Sequence, residues 1–219
     1  MQWARCLALM LLICVAAAAQ ERAPSSSEAL VSLLRQGGHT IYFRHAATVW
    51  SQGDEIDEPE DWASCDPNRV RQLSEEGRST ARAVGDAMRA LGIPIGRVLA
   101  SPYCRTVETA KLMDVGSVES TTDVINMRVA SYFGGRDAVT RRARALLATA
   151  PRPGRNTVVV SHGNVAIAAT GVHPAEGEGL VLHPDGRGGF DVVGRLTPEQ
   201  WQALARSQST DGTAPAPPR

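Results

Sequence analysis

Lysine is nearly missing from this 219-residue chain: of its 23 basic residues, all but Lys111 are arginine. An arginine met alone is therefore weak evidence of a site, because arginine serves wherever a surface cation is needed. Net charge is missing too, with 23 basic residues set against 23 acidic ones. That balance excludes the basic face on which non-specific nucleic-acid binding depends. Cysteine is scarce, at four residues, and Cys6, Cys14, Cys65 and Cys104 are too scattered to form a zinc site with histidine. Beyond the first 19 residues no apolar run is long enough to cross a bilayer, and no segment repeats.

What is present begins with an export pattern. Arg5 gives a positive start, Leu7 to Val15 an apolar stretch, and Ala17-Ala18-Ala19 a small-residue end before Gln20. Residues 1–19 are expected to be a secretory signal peptide, which places the protein in the periplasm or outside the cell. A lipid anchor at Cys14 fits less well, because bulky Ile13 precedes it. Losing Arg5 with the segment takes the net charge from 0 to −1. Residues 20–206 suit one domain, and 207–219, rich in Ser, Thr, Ala and Pro, are expected to be a disordered tail. Cys65 and Cys104 remain after export. They are either one disulfide, which the compartment favours, or two buried thiols.

The domain alternates helix and strand. A helix is expected from about Glu28 to Gln36, ended by Gly37-Gly38, and Thr40-Ile41-Tyr42-Phe43 reads as a buried strand. Residues 46–72 form a long acidic loop of the kind that is functional or disordered. Ser74 caps a helix with Glu75 and Glu76 in its first turn. Arg97–Ala100 is a second strand, followed by a helix over Tyr103–Met113. Residues 138–149 are helical by pattern. Thr157–Val160 is the clearest core strand, followed by a small-residue helix to Thr170. Gly179–Leu182 and Phe190–Val193 form a hairpin, and a helix capped by Thr197 closes the domain. The pattern implies an α/β three-layer sandwich with a mainly parallel central sheet.

Ligands in such sheets sit beyond the carboxyl ends of the strands. Three strands here end on polar groups: Arg44-His45, Ser101-Pro102 with Arg105 one turn on, and Ser161-His162-Gly163-Asn164. If the strands are parallel neighbours, two arginines and two histidines meet at one edge. An arginine fork suits phosphate oxygens.

These segments resemble the motifs of the histidine phosphatase superfamily, which is phosphoglycerate-mutase-like in fold. Arg44-His45-Ala46-Ala47-Thr48 is similar to its R-H-G-x-T signature, and Leu73-Ser74-Glu75-Glu76-Gly77 to its L-T-x-x-G segment. Ser101-Pro102-Tyr103-Cys104-Arg105 through Ala110 resembles S-P-x-x-R-x-x-x-T-A, and Val160-Ser161-His162-Gly163 its second-histidine motif. The resemblance spans residues 40 to 165, in family order. It implies that His45 is the nucleophile, forming a phosphohistidine, with its other ring nitrogen donating to a backbone carbonyl. It also implies that Arg44, Arg105 and His162 bind the phosphoryl oxygens without a metal or other cofactor. Thr48 and Asn164 can add hydrogen bonds at the rim.

Two positions depart from the pattern. Ala46 replaces glycine, so the turn there must avoid positive φ. The segment that carries a proton-donating glutamate in many family members corresponds to Asn126-Met127-Arg128-Val129, with Val129 in the acid's place. Asp57, Glu58, Glu176 and Glu178 are the candidate donors, with Glu178 preferred. His39, His173 and His183 match no motif. The expected activity is an exported phosphomonoesterase acting on a sugar phosphate or envelope phosphate. Within the superfamily the chain is most similar to the exported branch of the lipopolysaccharide core heptose phosphate phosphatase. A phosphomutase and a phosphate-binding module without turnover are the alternatives.

Overall fold

The computed structural model describes residues 26–211, so the expected signal peptide and the last residues of the expected tail lie outside the described residues. The helices are α1 (Ser27–Gln36), α2 (Glu75–Ala90), α3 (Cys104–Met113), α4 (Arg136–Leu147), α5 (Gly163–Thr170) and α6 (Pro198–Asp211). The strands are β1 (Thr40–Arg44), β2 (Ile95–Ala100), β3 (Val118–Ser120), β4 (Asn156–Ser161), β5 (Gly179–Pro184) and β6 (Phe190–Leu196). They form one sheet in the order β3-β2-β4-β1-β5-β6. The first four strands run parallel, and β5 and β6 are antiparallel additions.

The inner strands β1, β4 and β5 are covered on both faces. Ile41, Phe43, Val98, Ala100, Val158, Val160 and Val181 pack on one side, in a core shared with α1, α2, α3 and α6. Tyr42, Leu99, Val159, Leu180 and Leu182 pack on the other, with α4 and α5. Side chains of period two therefore build two cores, one on each face. Ser74 caps α2 as expected, its Oγ accepting from the Gly77 N–H at 3.0 Å. The first helix is capped by Ser26, whose Oγ accepts from the Ala29 N–H at 3.2 Å. Gly77 is required by space: a Cβ there would stand 2.0 Å from the Ala47 carbonyl oxygen. The second motif thus seats α2 directly on the turn that follows His45.

Strand register brings the three polar strand ends together. Arg44 lies opposite Ser161, and Ala100 opposite Val160. The His45 N–H then donates to the Ser161 carbonyl at 2.9 Å, and the Ser101 N–H to the Val160 carbonyl at 3.0 Å.

Three details differ from the sequence expectation. The edge strand β3 was not foreseen; Val-Glu-Ser is too short to show alternation, and it forms because β2 offers a free edge. The α6 helix runs on to Asp211, past the expected boundary at 207, because nothing in Ser207–Asp211 breaks a helix. The loop over residues 46–72 is folded back on itself. Thr48 pairs with Leu73 and Asp54 with Val70, while the Val49 N–H donates to Gln72 at 3.1 Å and the Glu55 N–H to Arg69 at 2.7 Å.

A disulfide joins Cys65 of this loop to Cys104, the first residue of α3, across 39 positions. Closing a loop of that length removes unfolded-state entropy worth about 4 kcal/mol at room temperature. Replacing both cysteines by serine is expected to lower the free energy of unfolding by roughly 2–4 kcal/mol. Denaturant melts measure this, and an unchanged midpoint would show that the bridge does not hold the loop.

Candidate active site

His45 follows the last residue of β1 and is 4% exposed. Its Nδ1 lies 2.9 Å from the Ala46 carbonyl, to which only an N–H can donate. The proton is thereby held on Nδ1, and the Nε2 lone pair is left without a hydrogen-bond partner. Burial, then the charges of Arg105, Arg44 and Arg71, push the imidazole down from 6.5 to about 3. The ring is thus neutral at physiological pH, as a nucleophile must be. Ala46 takes an ordinary backbone conformation; among the described residues only Glu60 and Asp114 have positive φ without being glycine. The Ala46 N–H donates to Thr109 Oγ1 at 3.2 Å, and that hydroxyl donates to the Arg105 carbonyl at 2.7 Å. The turn after His45 is in this way fixed to α3.

His162 follows β4 and is 1% exposed, its ring centroid 5.6 Å from that of His45. Ser101 Oγ lies 2.9 Å from its Nε2, and its Nδ1 is buried without a partner. Burial first, then Arg105 and His45, hold His162 well below the usual imidazole range. It is therefore a neutral hydrogen-bonding group at physiological pH. With Ser101 donating to Nε2, the Nδ1 proton is the one left over for a ligand. Two tyrosines missed by the sequence reading position this residue. The Tyr42 hydroxyl donates to the His162 carbonyl at 2.8 Å. The Tyr103 ring stands edge-on to the imidazole at 4.7 Å and lies 4.5 Å beneath the Arg105 guanidinium. Tyr103 fills an unspecified position of its motif, so nothing in the pattern flagged it.

Arg105 is 1% exposed. Its two terminal nitrogens do not face an open pocket as expected. They bind Asp54 as a fork, at 2.8 Å and 3.1 Å. Burial alone would raise Asp54, but the Arg105 hydrogen bonds and charge override it and hold the carboxyl below 3.8. Arg105 keeps one buried donor free, its Nε. The sequence could not show this, because Asp54 is one of several acids in a loop that looked external.

Arg44 donates to Glu176 at 3.2 Å and to the Pro174 carbonyl at 3.3 Å. Thr48 donates to the same Glu176 oxygen at 3.3 Å. Arg71, from the end of the folded-back loop, is the third cation. It too carries a buried Nε without a partner, and its charge acts on both His45 and His162. The sequence reading missed it, since one arginine among so many carried no signal. Unpartnered buried N–H groups on Arg71, Arg105 and His162 therefore belong to the residues around His45, which is the donor set an oxyanion lacks only itself to satisfy.

Other expected residues lie elsewhere. Glu178 is buried, but its carboxylate accepts from the Ala175 N–H at 2.7 Å and faces Arg195 at 3.5 Å. It closes the turn before β5, because chain reversal there turns it toward β6 instead of His45. Asn164 donates to Asn126 at 2.8 Å, joining α5 to the segment after β3. Asp57 is exposed beside Arg69, Glu108 pairs with Arg78 at 2.7 Å, and Val129 is core. A hollow of about 730 Å³, lined by Val49, Pro67, Cys104 and Lys111 among others, lies beside the loop and contains neither histidine.

Residues 41–128 match the family model described as the histidine phosphatase superfamily, branch 1. The match supports the histidine phosphatase superfamily. It covers the motifs of His45 and Arg105, and the sheet register brings in His162 beyond it. A comparison with curated proteins finds no match. Among solved structures, a candidate alpha-ribazole-5'-P phosphatase of Escherichia coli K-12 is similar at TM-score 0.51 and 15% identity, over 71% of this chain and 95% of that one. The protein histidine phosphatase SixA complexed with tungstate aligns at TM-score 0.48 and 16% identity, over 73% of this chain and 97% of that one. A candidate SixA of Agrobacterium tumefaciens aligns at 0.48 and 15%, over 74% and 99%. At such identity the likeness is one of fold, and the fold is that of phosphoglycerate-mutase-like histidine phosphatases.

His45 makes a pH prediction. Its folded value is depressed to about 3 from 6.5. The unfolded chain therefore binds the extra proton in that window, and stability must fall as pH drops through it. The 15N resonances of the His45 ring are expected to stay neutral from about pH 8 to about pH 5. A His45 titration near 6.5 would contradict the buried, carbonyl-locked ring.

Proposed function

We propose that this chain is a phosphomonoesterase acting through a phosphohistidine on His45. One observation carries the reading. The Ala46 carbonyl fixes the proton on Nδ1 and leaves a neutral Nε2 amid unpartnered donors of Arg71, Arg105 and His162. The Nε2 lone pair attacks phosphorus, the ester P–O bond breaks, and the leaving oxygen takes a proton. Water then attacks the phosphohistidine, releasing orthophosphate and restoring His45. The buried N–H groups hold the charge that grows on the phosphoryl oxygens.

Glu176 is the proton donor in this account. Its carboxylate rests on Arg44 and Thr48, at the rim where a leaving group departs. An arriving phosphate competes for Arg44 and releases the Glu176 carboxylate, which takes up a proton from solvent and delivers it to the leaving oxygen. Asp54 is unsuited, because Arg105 holds it ionised. Export and an envelope sugar phosphate as substrate belong to the same proposal, as does kinship with the exported heptose phosphatase branch. The N-terminal pattern and the Cys65–Cys104 bridge support an oxidising compartment.

A chromogenic phosphate ester tests the activity without any phosphorylated donor. Turnover is expected, and His45→Ala should reduce it by a factor on the order of a thousand or more. Turnover that needs an added phosphorylated cofactor would favour a mutase; binding without turnover would favour a binding module. Glu176→Gln should slow esters with poor leaving groups by about a hundredfold and nitrophenyl esters far less. Equal loss on both would remove Glu176 as the acid.

A further inference from the structure

Trp50 is the most exposed large apolar side chain among the described residues, at 71%. It is nonetheless held in place. The Arg71 guanidinium carbon lies 5.0 Å from the indole centroid, a cation–π contact. Arg71 is itself anchored to the phosphate-binding cluster: its N–H donates to Asp54 at 3.1 Å, and its carbonyl accepts from Arg105 at 3.3 Å. The indole is therefore one guanidinium away from the residues around His45. The ribbon that carries both is pinned by the pairings Thr48 with Leu73 and Asp54 with Val70. Held in this way, the ring is ordered before any ligand arrives and still offers most of its surface to solvent.

We propose that Trp50 and Arg71 form a leaving-group subsite, in which Arg71 donates to a phosphoryl oxygen and the open face of Trp50 stacks on a flat ring next to the phosphate. The favoured substrates are then phosphomonoesters with a ring close to the ester oxygen, either the C–H face of a pyranose or an aryl group. An acyclic ester such as glycerol phosphate presents no such face and leaves the indole uncovered. This subsite rests on the assignment of His45 as nucleophile and adds the class of leaving group to it.

The test compares kcat/KM for glucose 6-phosphate and phenyl phosphate with that for glycerol phosphate. Trp50→Ala is expected to lower each ring-to-acyclic ratio by about tenfold, mainly through KM, and Trp50→Phe to restore most of it. Whichever ratio falls further identifies the ring. A second arm uses calorimetry on the His45→Ala protein, which separates binding from turnover. There Trp50→Ala should weaken the two ring esters and leave orthophosphate unchanged, while Arg71→Gln should weaken all three. Unchanged ratios, equal loss on ring and acyclic esters, or no rescue by phenylalanine would overturn the subsite. No orthophosphate binding to the His45→Ala protein would overturn the phosphate pocket itself, and the subsite with it.

Discussion

The buried pair of Asp54 and Arg105 is the constraint on which the site depends. A guanidinium at 1% exposure keeps its charge, and holding that charge in a protein core is costly unless an anion meets it. Asp54 meets it with both oxygens. Because Asp54 comes from the long loop and Arg105 from α3, the same pair folds the loop over the sheet edge. The Cys65–Cys104 bridge holds those two elements together a second time, one residue from Arg105. Leaving such a cation unpaired costs roughly 3–5 kcal/mol, a large share of the margin of a typical domain. Loop position and catalytic charge are therefore one problem with one solution.

That arrangement divides labour among the cations. Arg105 is tied to Asp54 through its terminal nitrogens, and its buried Nε has no partner. Arg44 is lightly held by Glu176 at 3.2 Å, in a contact a dianion can replace. Arg71 lies over the Trp50 ring, and its charge acts on both histidines. Both histidines are neutral in this field, because burial and neighbouring positive charge each disfavour a further proton. A neutral His45 locked through Nδ1 is suited to attack, and a neutral His162 is suited to donate.

Much of this was legible in the chain. Strand ends at Arg44, Ala100 and Ser161 could be placed at one edge because an α/β alternation leaves few other ways to order parallel strands. The nucleophilic role proposed for His45 was suggested by its neighbours and by the family likeness. What stayed hidden was whatever depends on long-range side-chain packing. Nothing local marks Asp54 among the acids near it, or Arg71 among the arginines, and Tyr103 sits at a position its motif leaves open. Glu178 was preferred as the acid because it opens a strand. Arg44 and Thr48 meet Glu176 instead, two residues earlier, since the turn directs Glu178 to the Ala175 N–H and Arg195.

The account stands or falls on Nε2 of His45. The most direct measurement is to quench the enzyme during turnover of a 32P-labelled ester and map the label by peptide mass spectrometry under alkaline conditions. A single acid-labile phosphoryl group on His45, absent from the His45→Ala protein, is the predicted result. Label on another residue, or full turnover with no labelled intermediate and undiminished activity in His45→Ala, would contradict it.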